Sequence, residues 1–341
     1  MSNRTSISTK PFSLDEKIDF FTELGTYVKA SIPLSTALTK IIKNSNNPKI
    51  KKSASSILKY IDKGENFSAS ILRFEHILGS AYCNLLSIGN DIGEIPQIIQ
   101  GILDTLKKQR SIKRSIIKSC TYPIILFIVF CICAAALIFI IVPKVSAQAE
   151  LMTGEIPLTL KIISKGWFII LLLIVFGVFS GIKAIKYSLK NKSIFSIPII
   201  GKTVKTYNIA LFFRIFSLAY TVGIPVTNAY PLASKAVINN YIKNRLLLNS
   251  SMLLSGETLS ETFRSTDLLS SQEISKIEAG EMAGNLEDIF KEICDDINER
   301  LETTISAALS VVEPFFIFIV GILICIFGFI ILGPANPFNY L

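Results

Sequence analysis

Gly280-Glu281-Met282-Ala283-Gly284-Asn285-Leu286 is the stretch on which the fold turns. It leads into an acidic helical pattern, passes Glu313-Pro314 and ends in an uncharged apolar run at Pro334. Much earlier, Gly89-Asn90-Asp91-Ile92-Gly93-Glu94-Ile95 leads into another helical pattern, then Tyr122-Pro123, then an apolar run closing at Pro143. Gly89/Gly280, Gly93/Gly284, Pro123/Pro314 and Pro143/Pro334 all lie 191 residues apart. Nearer the N-terminus the offset is 192: Phe20-Phe21 pairs with Phe212-Phe213, Ile32-Pro33 with Ile224-Pro225, and Gly64-Glu65 with Gly256-Glu257. A one-residue indel therefore lies between Ser68 and Gly89. Prolines and glycines in register over this distance mark a duplication. Each copy reads as a helical domain whose last helix runs into a membrane.

Composition agrees. Half of the 341 residues are hydrophobic, and Phe outnumbers Trp 23 to 1. The apolar residues come in blocks, unlike those of an ordinary soluble chain. The formal charge of +9 points to nucleic acid or an anionic membrane surface. Because the cations flank the apolar blocks, membrane topology accounts for them and no nucleic-acid partner is expected. The six cysteines are scattered, with no CxxC pair, and Cys131 and Cys133 lie about 200° apart on a helix. They are expected as reduced thiols packing as small hydrophobes. Residues 1–12 read as a polar flexible tail without a signal-peptide core.

The first copy, residues 13–118, reads as an all-α cytoplasmic domain. Ser13 with Glu16 forms a capping box, and Leu14, Ile18, Phe21, Leu24 and Val28 follow at helical spacing. Ile32-Pro33 starts a second helix, the turn at 44–48 a third, and Lys63-Gly64-Glu65 ends that one. Short helices near 68–74 and 76–88 lead to the Gly89 motif.

Residues 119–143 are free of charge, and 25 residues cross a hydrocarbon core of about 30 Å. A helix continuous through Pro123 is expected to kink there. A loop at 144–165 precedes a second span at 166–182, bounded by Lys165 and Lys183. The second helical domain covers 183–312, the third span 313–333, and 334–341 form a short tail. Six cations precede the first span (Lys107 to Lys118) and six follow the second (Lys183 to Lys205). That bias places both flanks in the cytoplasm, the N-terminus inside and the C-terminus outside.

No catalytic constellation is visible. His76 is the only histidine and sits among Phe74, Ile77 and Leu78, and no GxxxxGK[ST] loop occurs. No cofactor is expected and the chain is not read as an enzyme. Charge inside the spans is nearly absent, which argues against a pump or transporter; a small duplicated transporter or channel subunit is the alternative reading. Glu313, at the cytoplasmic lip of the third span, is the exception. It is either a helix-entry carboxylate or a partner contact.

Together these features resemble the type II secretion F family, the polytopic inner-membrane platform proteins of type II secretion systems and type IV pili. The motif from Gly280 to Leu286 fits that family's G-E-x-(S/A)-G-x-L pattern. Thr121-Tyr122-Pro123 with Val142-Pro143, Ile197-Pro198-Ile199-Ile200-Gly201, Gly223-Ile224-Pro225-Val226 and Glu313-Pro314 fit as well. The first copy departs from the pattern: it lacks the glutamate supplied at Glu281, and Ala30-Ser31-Ile32-Pro33 lacks the glycine found at Gly223. The brief N-terminal tail leans toward the type IVb pilus branch. The resemblance implies a platform coupling a hexameric cytoplasmic assembly ATPase to incorporation of pilin or pseudopilin subunits. Other inner-membrane assembly proteins, lipid and further copies of the chain are implied as partners. For Glu281 and Glu257 it implies a divalent cation or a partner at a domain interface, set against an ordinary helix-start cap. Gly280 and Gly284 belong to the same candidate contact region.

Equivalent helices have diverged in charge. Residues 95–118 carry six cations and one acid, Asp104; residues 286–309 carry two cations and seven acids, among them Asp295, Asp296 and Glu299. Such helices could dock on each other, within one chain or between protomers, or present two faces to an ATPase. Reversing charge at Asp295, Asp296 and Glu299 is expected to weaken self-association or ATPase recruitment.

Overall fold

The computed structural model describes residues 10–136 and 192–310, apart from 197, with single positions among 140–147 and 314–325. Among the described residues every regular element is helical, so the fold is all-α. In chain order the helices are α1 (Leu14–Lys29), α2 (Leu34–Asn44), α3 (Pro48–Ile61), α4 (Phe67–Leu72), α5 (Glu75–Leu78), α6 (Ser80–Ile92) and α7 (Ile95–Ala136). After a 3₁₀ turn at Lys192–Ser196 come α8 (Pro198–Thr221), α9 (Val226–Ala236), α10 (Asn240–Leu254), α11 (Leu259–Thr266), α12 (Ser271–Ala283) and α13 (Leu286–Ser310).

The duplication is visible in the helix boundaries. Adding 192 to the ends of α2 gives those of α9, and adding 191 to the ends of α6 gives those of α12. The indel falls where α5 stands in the first half and has no counterpart in the second. There the chain turns instead through Asp267, at φ 53°, into the Ser270–Glu273 capping box of α12. One expectation needs correcting: the helix anticipated over 76–88 is two helices. Gly79, at φ 111°, breaks the pattern and redirects the chain between α5 and α6.

Local chemistry accounts for the ends. The Glu16 backbone N–H donates to Ser13 Oγ, and the Ser13 backbone N–H donates to Glu16 Oε2 at 2.7 Å, closing the expected capping box. The Lys49 ammonium, 2.8 Å from Glu16, and the Ser13 backbone bond together hold that carboxyl down at about 2. At the α1–α2 turn the chain needs a left-handed residue. Gly223 meets the same need in the second half at φ 84°, whereas the first half puts Ser31 there at φ 56°. An L-residue pays for that conformation. Ser31→Gly is therefore expected to stabilise the full chain by about 1 kcal/mol, and Gly223→Ser to destabilise it similarly. Urea midpoints in detergent measure both.

Two cores follow the repeat. Phe20 and Phe21 meet edge to face at 5.4 Å, and Phe212 and Phe213 do the same at 5.4 Å. Around that shared pair the halves differ. Leu24, Leu38, Ile71 and Ile99 of the first core stand where the second has Phe216, Tyr230, Phe263 and Phe290. The halves meet where α6 packs on α9, and where Gly101 of α7 leaves room for Leu218 of α8.

The chain divides into two compact units, Met1–Lys113 with Lys190–Thr303, and Arg114–Leu189 with Thr304–Leu341. Both helical halves thus belong to one unit. In the other, α7 continues through Pro123 to Ala136, with Ile125, Ile128, Val129 and Ile132 exposed at one-face helical spacing. Among the described residues no helix is long and apolar enough to cross a membrane. The expected loop at 144–165 (apart from Ala147), the span at 166–182, the tail at 334–341, most of 313–333 and Glu313 itself lie outside the described residues.

Candidate functional site

The motif glycines have two separate jobs. Gly280 lies in the last turn of α12, where an added Cβ would stand 2.8 Å from Cγ1 of Ile289 on α13. Gly89 faces Ile98 in the same way, and Ile98 and Ile289 are themselves 191 apart. The first glycine thus lets the next helix fold back closely. Gly284 and Gly93 are the left-handed residues just past the helix ends, at φ 69° and 86°.

Glu281 is not at a helix start, as the sequence suggested, but in the last turn of α12. From there it caps a different helix. The Leu259 N–H donates to its Oε1, and the Ser260 N–H and hydroxyl donate to its Oε2 at 3.1 and 2.6 Å, so the carboxylate closes the N-terminus of α11. In the first half Asn90 donates to Ser68 Oγ at 3.1 Å, while the Ser68 hydroxyl donates to Asp91 at 2.7 Å. The missing glutamate is replaced by this pair. Glu281→Ala would strand three donors, at an expected cost of about 1–3 kcal/mol in the full chain. Unchanged urea stability would show that Glu281 has no structural role. Among the described residues no group of three or more His, Cys, Asp or Glu side chains is placed to hold a metal ion.

Glu257 is exposed in the turn before Thr258, the N-cap of α11. Its counterpart Glu65 takes both Nε and Nη2 of Arg73, at 3.0 and 2.9 Å. The residue equivalent to Arg73 is Ser265, so that fork is absent from the second half.

The acidic helix α13 is partly neutralised. Lys276 of α12 reaches Glu292 and Asp296, each at 2.6 Å, and these bonds, Asp296 first, raise its pKa above the ordinary lysine value. Glu302 pairs with Lys108 of α7, which realises within one chain a contact between the two helices of opposite sign. Asp295 and Glu299 are exposed and share no ion pair among the described residues. Asp296 is therefore a structural partner of Lys276, unlike its two neighbours.

Two polar features were not anticipated. Glu273, buried, accepts from Arg300 at 2.9 Å; the equivalent positions in the first half hold Tyr82 and Gln109, whose amide donates to the Tyr82 hydroxyl at 3.1 Å. An ionic pair and a neutral pair thus occupy one site of the repeat, and aligning the halves would have found it. Arg214 of α8 is buried, donates through Nη2 to Asn298, and leaves Nη1 without a partner among the described residues. Burial pulls its pKa below the ordinary arginine value, and nearby Cys294, Tyr207, Tyr82 and Glu302 act against that. No signal in the chain marked it.

A sequence model of the family described as type II secretion system (T2SS), protein F matches this chain twice, over residues 20–143 and 212–334. The chain belongs to that family. The two matches begin 192 residues apart and end 191 apart, which reproduces the duplication and its indel. The type IV pilus assembly protein PilC of Pseudomonas aeruginosa is 23% identical to this chain, covering 89% of it and 85% of its own length. The type II secretion system protein F of Vibrio cholerae is 22% identical over 86% of this chain and 75% of its own. The type IV pilus assembly protein TapC of Aeromonas hydrophila is 21% identical over 89% and 76%.

Proposed function

We propose that this chain is the inner-membrane platform of a type IV pilus or type II secretion machine. In that role it couples a cytoplasmic assembly ATPase to incorporation of pilin or pseudopilin subunits and performs no catalysis itself. The observation that carries the reading is the double family match over the duplicated unit, each copy ending in a charge-free run. The relatives named for pilus assembly and for type II secretion supply the machine.

Membrane residence has physical support from the sequence and from one helix face. The charge-free run at 119–143 follows six cations, and the exposed row Ile125, Ile128, Val129 and Ile132 would be costly in water and neutral in lipid. Three spans, with the N-terminus cytoplasmic and the C-terminus periplasmic, complete the proposal. Both helical halves would then face the ATPase from one side of the membrane.

Deleting the gene and restoring it on a plasmid tests the function. The expected result is loss of extracellular filaments or secreted substrate, with pilin or pseudopilin still present in the membrane, and recovery on complementation. Normal filaments and secretion, together with a lost solute uptake, would contradict the platform reading.

A further inference from the structure

The two halves have diverged in complementary ways. From Leu34 to Lys63 the hairpin α2–α3 and the turn that closes it carry seven lysines and one acid, Asp62. Lys52 and Lys59 are exposed on α3, and Lys63 is exposed in the turn just after it. The +7 spacing puts Lys52 and Lys59 on one face of α3, about 10 Å apart along it, and Lys63 follows in the turn at its end. On α13, Asp288, Asp295 and Glu299 are exposed with the same +7 and +11 spacing, and the exposed Lys291 stands among them, three residues after Asp288. None of the six residues shares an ion pair among the described residues, so the chain does not satisfy either face by itself.

The other copies of these positions do not repeat the charge pattern. Where the first half has Lys52, Lys59 and Lys63, the second has Asn244, Ser251 and Ser255. Where the second half has Asp288, Asp295 and Glu299, the first has Gln97, Asp104 and Lys108. A basic face confined to one half and an acidic face confined to the other is what a head-to-tail contact between copies needs.

We propose that the acidic face of α13 in one copy, centred on Asp288, Asp295 and Glu299, docks on the lysine face of α3 in a second copy. The helices run parallel, so Asp288 meets Lys52, Asp295 meets Lys59 and Glu299 meets Lys63. Because the two faces differ, the contact is heterologous and each docked pair still offers one free face of each sign. This deepens the self-association included in the platform reading. Its test needs neither ATPase nor pilin, so the two readings fail separately.

The test uses the full chain in a non-ionic detergent, with two differently tagged copies captured on one tag. One variant carries Asp288→Lys, Asp295→Lys and Glu299→Lys; the other carries Lys52→Glu, Lys59→Glu and Lys63→Glu. Each variant alone is expected to lose at least about tenfold in co-capture, as raising the salt from about 0.1 M to about 0.5 M also should for the unaltered chain. Mixing the two variants restores capture, because the reversed α13 of one meets the reversed α3 of the other. A separate chain with Lys59→Cys and Asp295→Cys should give an intermolecular cross-link with a short bismaleimide, above that of the unaltered chain, a readout that does not depend on the reversed variants folding. Self-capture unchanged in either reversal, no recovery in the mixture, or no added cross-link would overturn the proposal. Loss in the lysine variant alone would also overturn it, and would assign that face to an anionic surface such as lipid.

Discussion

Phe263→Ala is expected to destabilise the full chain by about 3–5 kcal/mol. The ring lies 5.6 Å from Phe212, 5.5 Å from Phe213, 6.4 Å from Phe216 and 5.3 Å from Tyr230, and is almost wholly buried. Truncation removes its transfer free energy and opens a cavity whose rigid aromatic walls collapse poorly. The first half holds a buried Ile71 at this position, with Leu24, Leu38 and Ile99 at the positions of Phe216, Tyr230 and Phe290. Phe263→Ile copies that residue without its aliphatic neighbours, and should cost less than alanine but more than about 1 kcal/mol. Urea unfolding in detergent measures both, and a loss under about 1 kcal/mol for alanine would contradict the packing described.

Gly280→Val is expected to cost about 2–3 kcal/mol, because the new side chain meets Cγ1 and Cβ of Ile289, 2.8 and 3.3 Å from the added Cβ alone. Ile289→Ala should recover part of that loss in a double-mutant cycle. Gly284→Val has nothing within 4 Å of the added Cβ and is penalised by its φ of 69°, by about 1–2 kcal/mol. Ile289→Ala should not relieve it. Two glycines four residues apart in one motif are thereby separated into a packing glycine and a conformational one.

These positions also show what could be read before any coordinates. Prolines and glycines were informative because their roles are local: a helix start after Ile32-Pro33, a helix end before Lys63-Gly64-Glu65, and beside them a capping box at Ser13 and Glu16. The shared offset carried the architecture, since residues that punctuate a helix must keep their spacing. Glu281 was misplaced for the converse reason. Its partners, Leu259 and Ser260, lie more than twenty residues away, and only the fold brings α11 to the end of α12. Gly79-Ser80 reads as a turn, yet the helix expected over 76–88 was drawn across it because the apolar spacing continues there; Arg214 was missed because nothing in a helical pattern marks a buried cation. The opposed charges of α7 and α13 were legible as composition, while the division of the acids into those held by Lys276 or Lys108 and those left exposed was not. That division is what separates Asp295 and Glu299 from Asp296 as candidate contacts.

The central claim is that this chain is the platform on which an assembly ATPase acts. Its most direct measurement is capture of the tagged full chain from membranes solubilised in mild detergent, with its bound proteins identified by mass spectrometry. The account predicts recovery of the cytoplasmic assembly ATPase together with pilin or pseudopilin, in amounts comparable to the bait. Recovery of the chain in detergent-solubilised membranes with neither protein, under conditions in which those two are captured with other components of the machine, would contradict it.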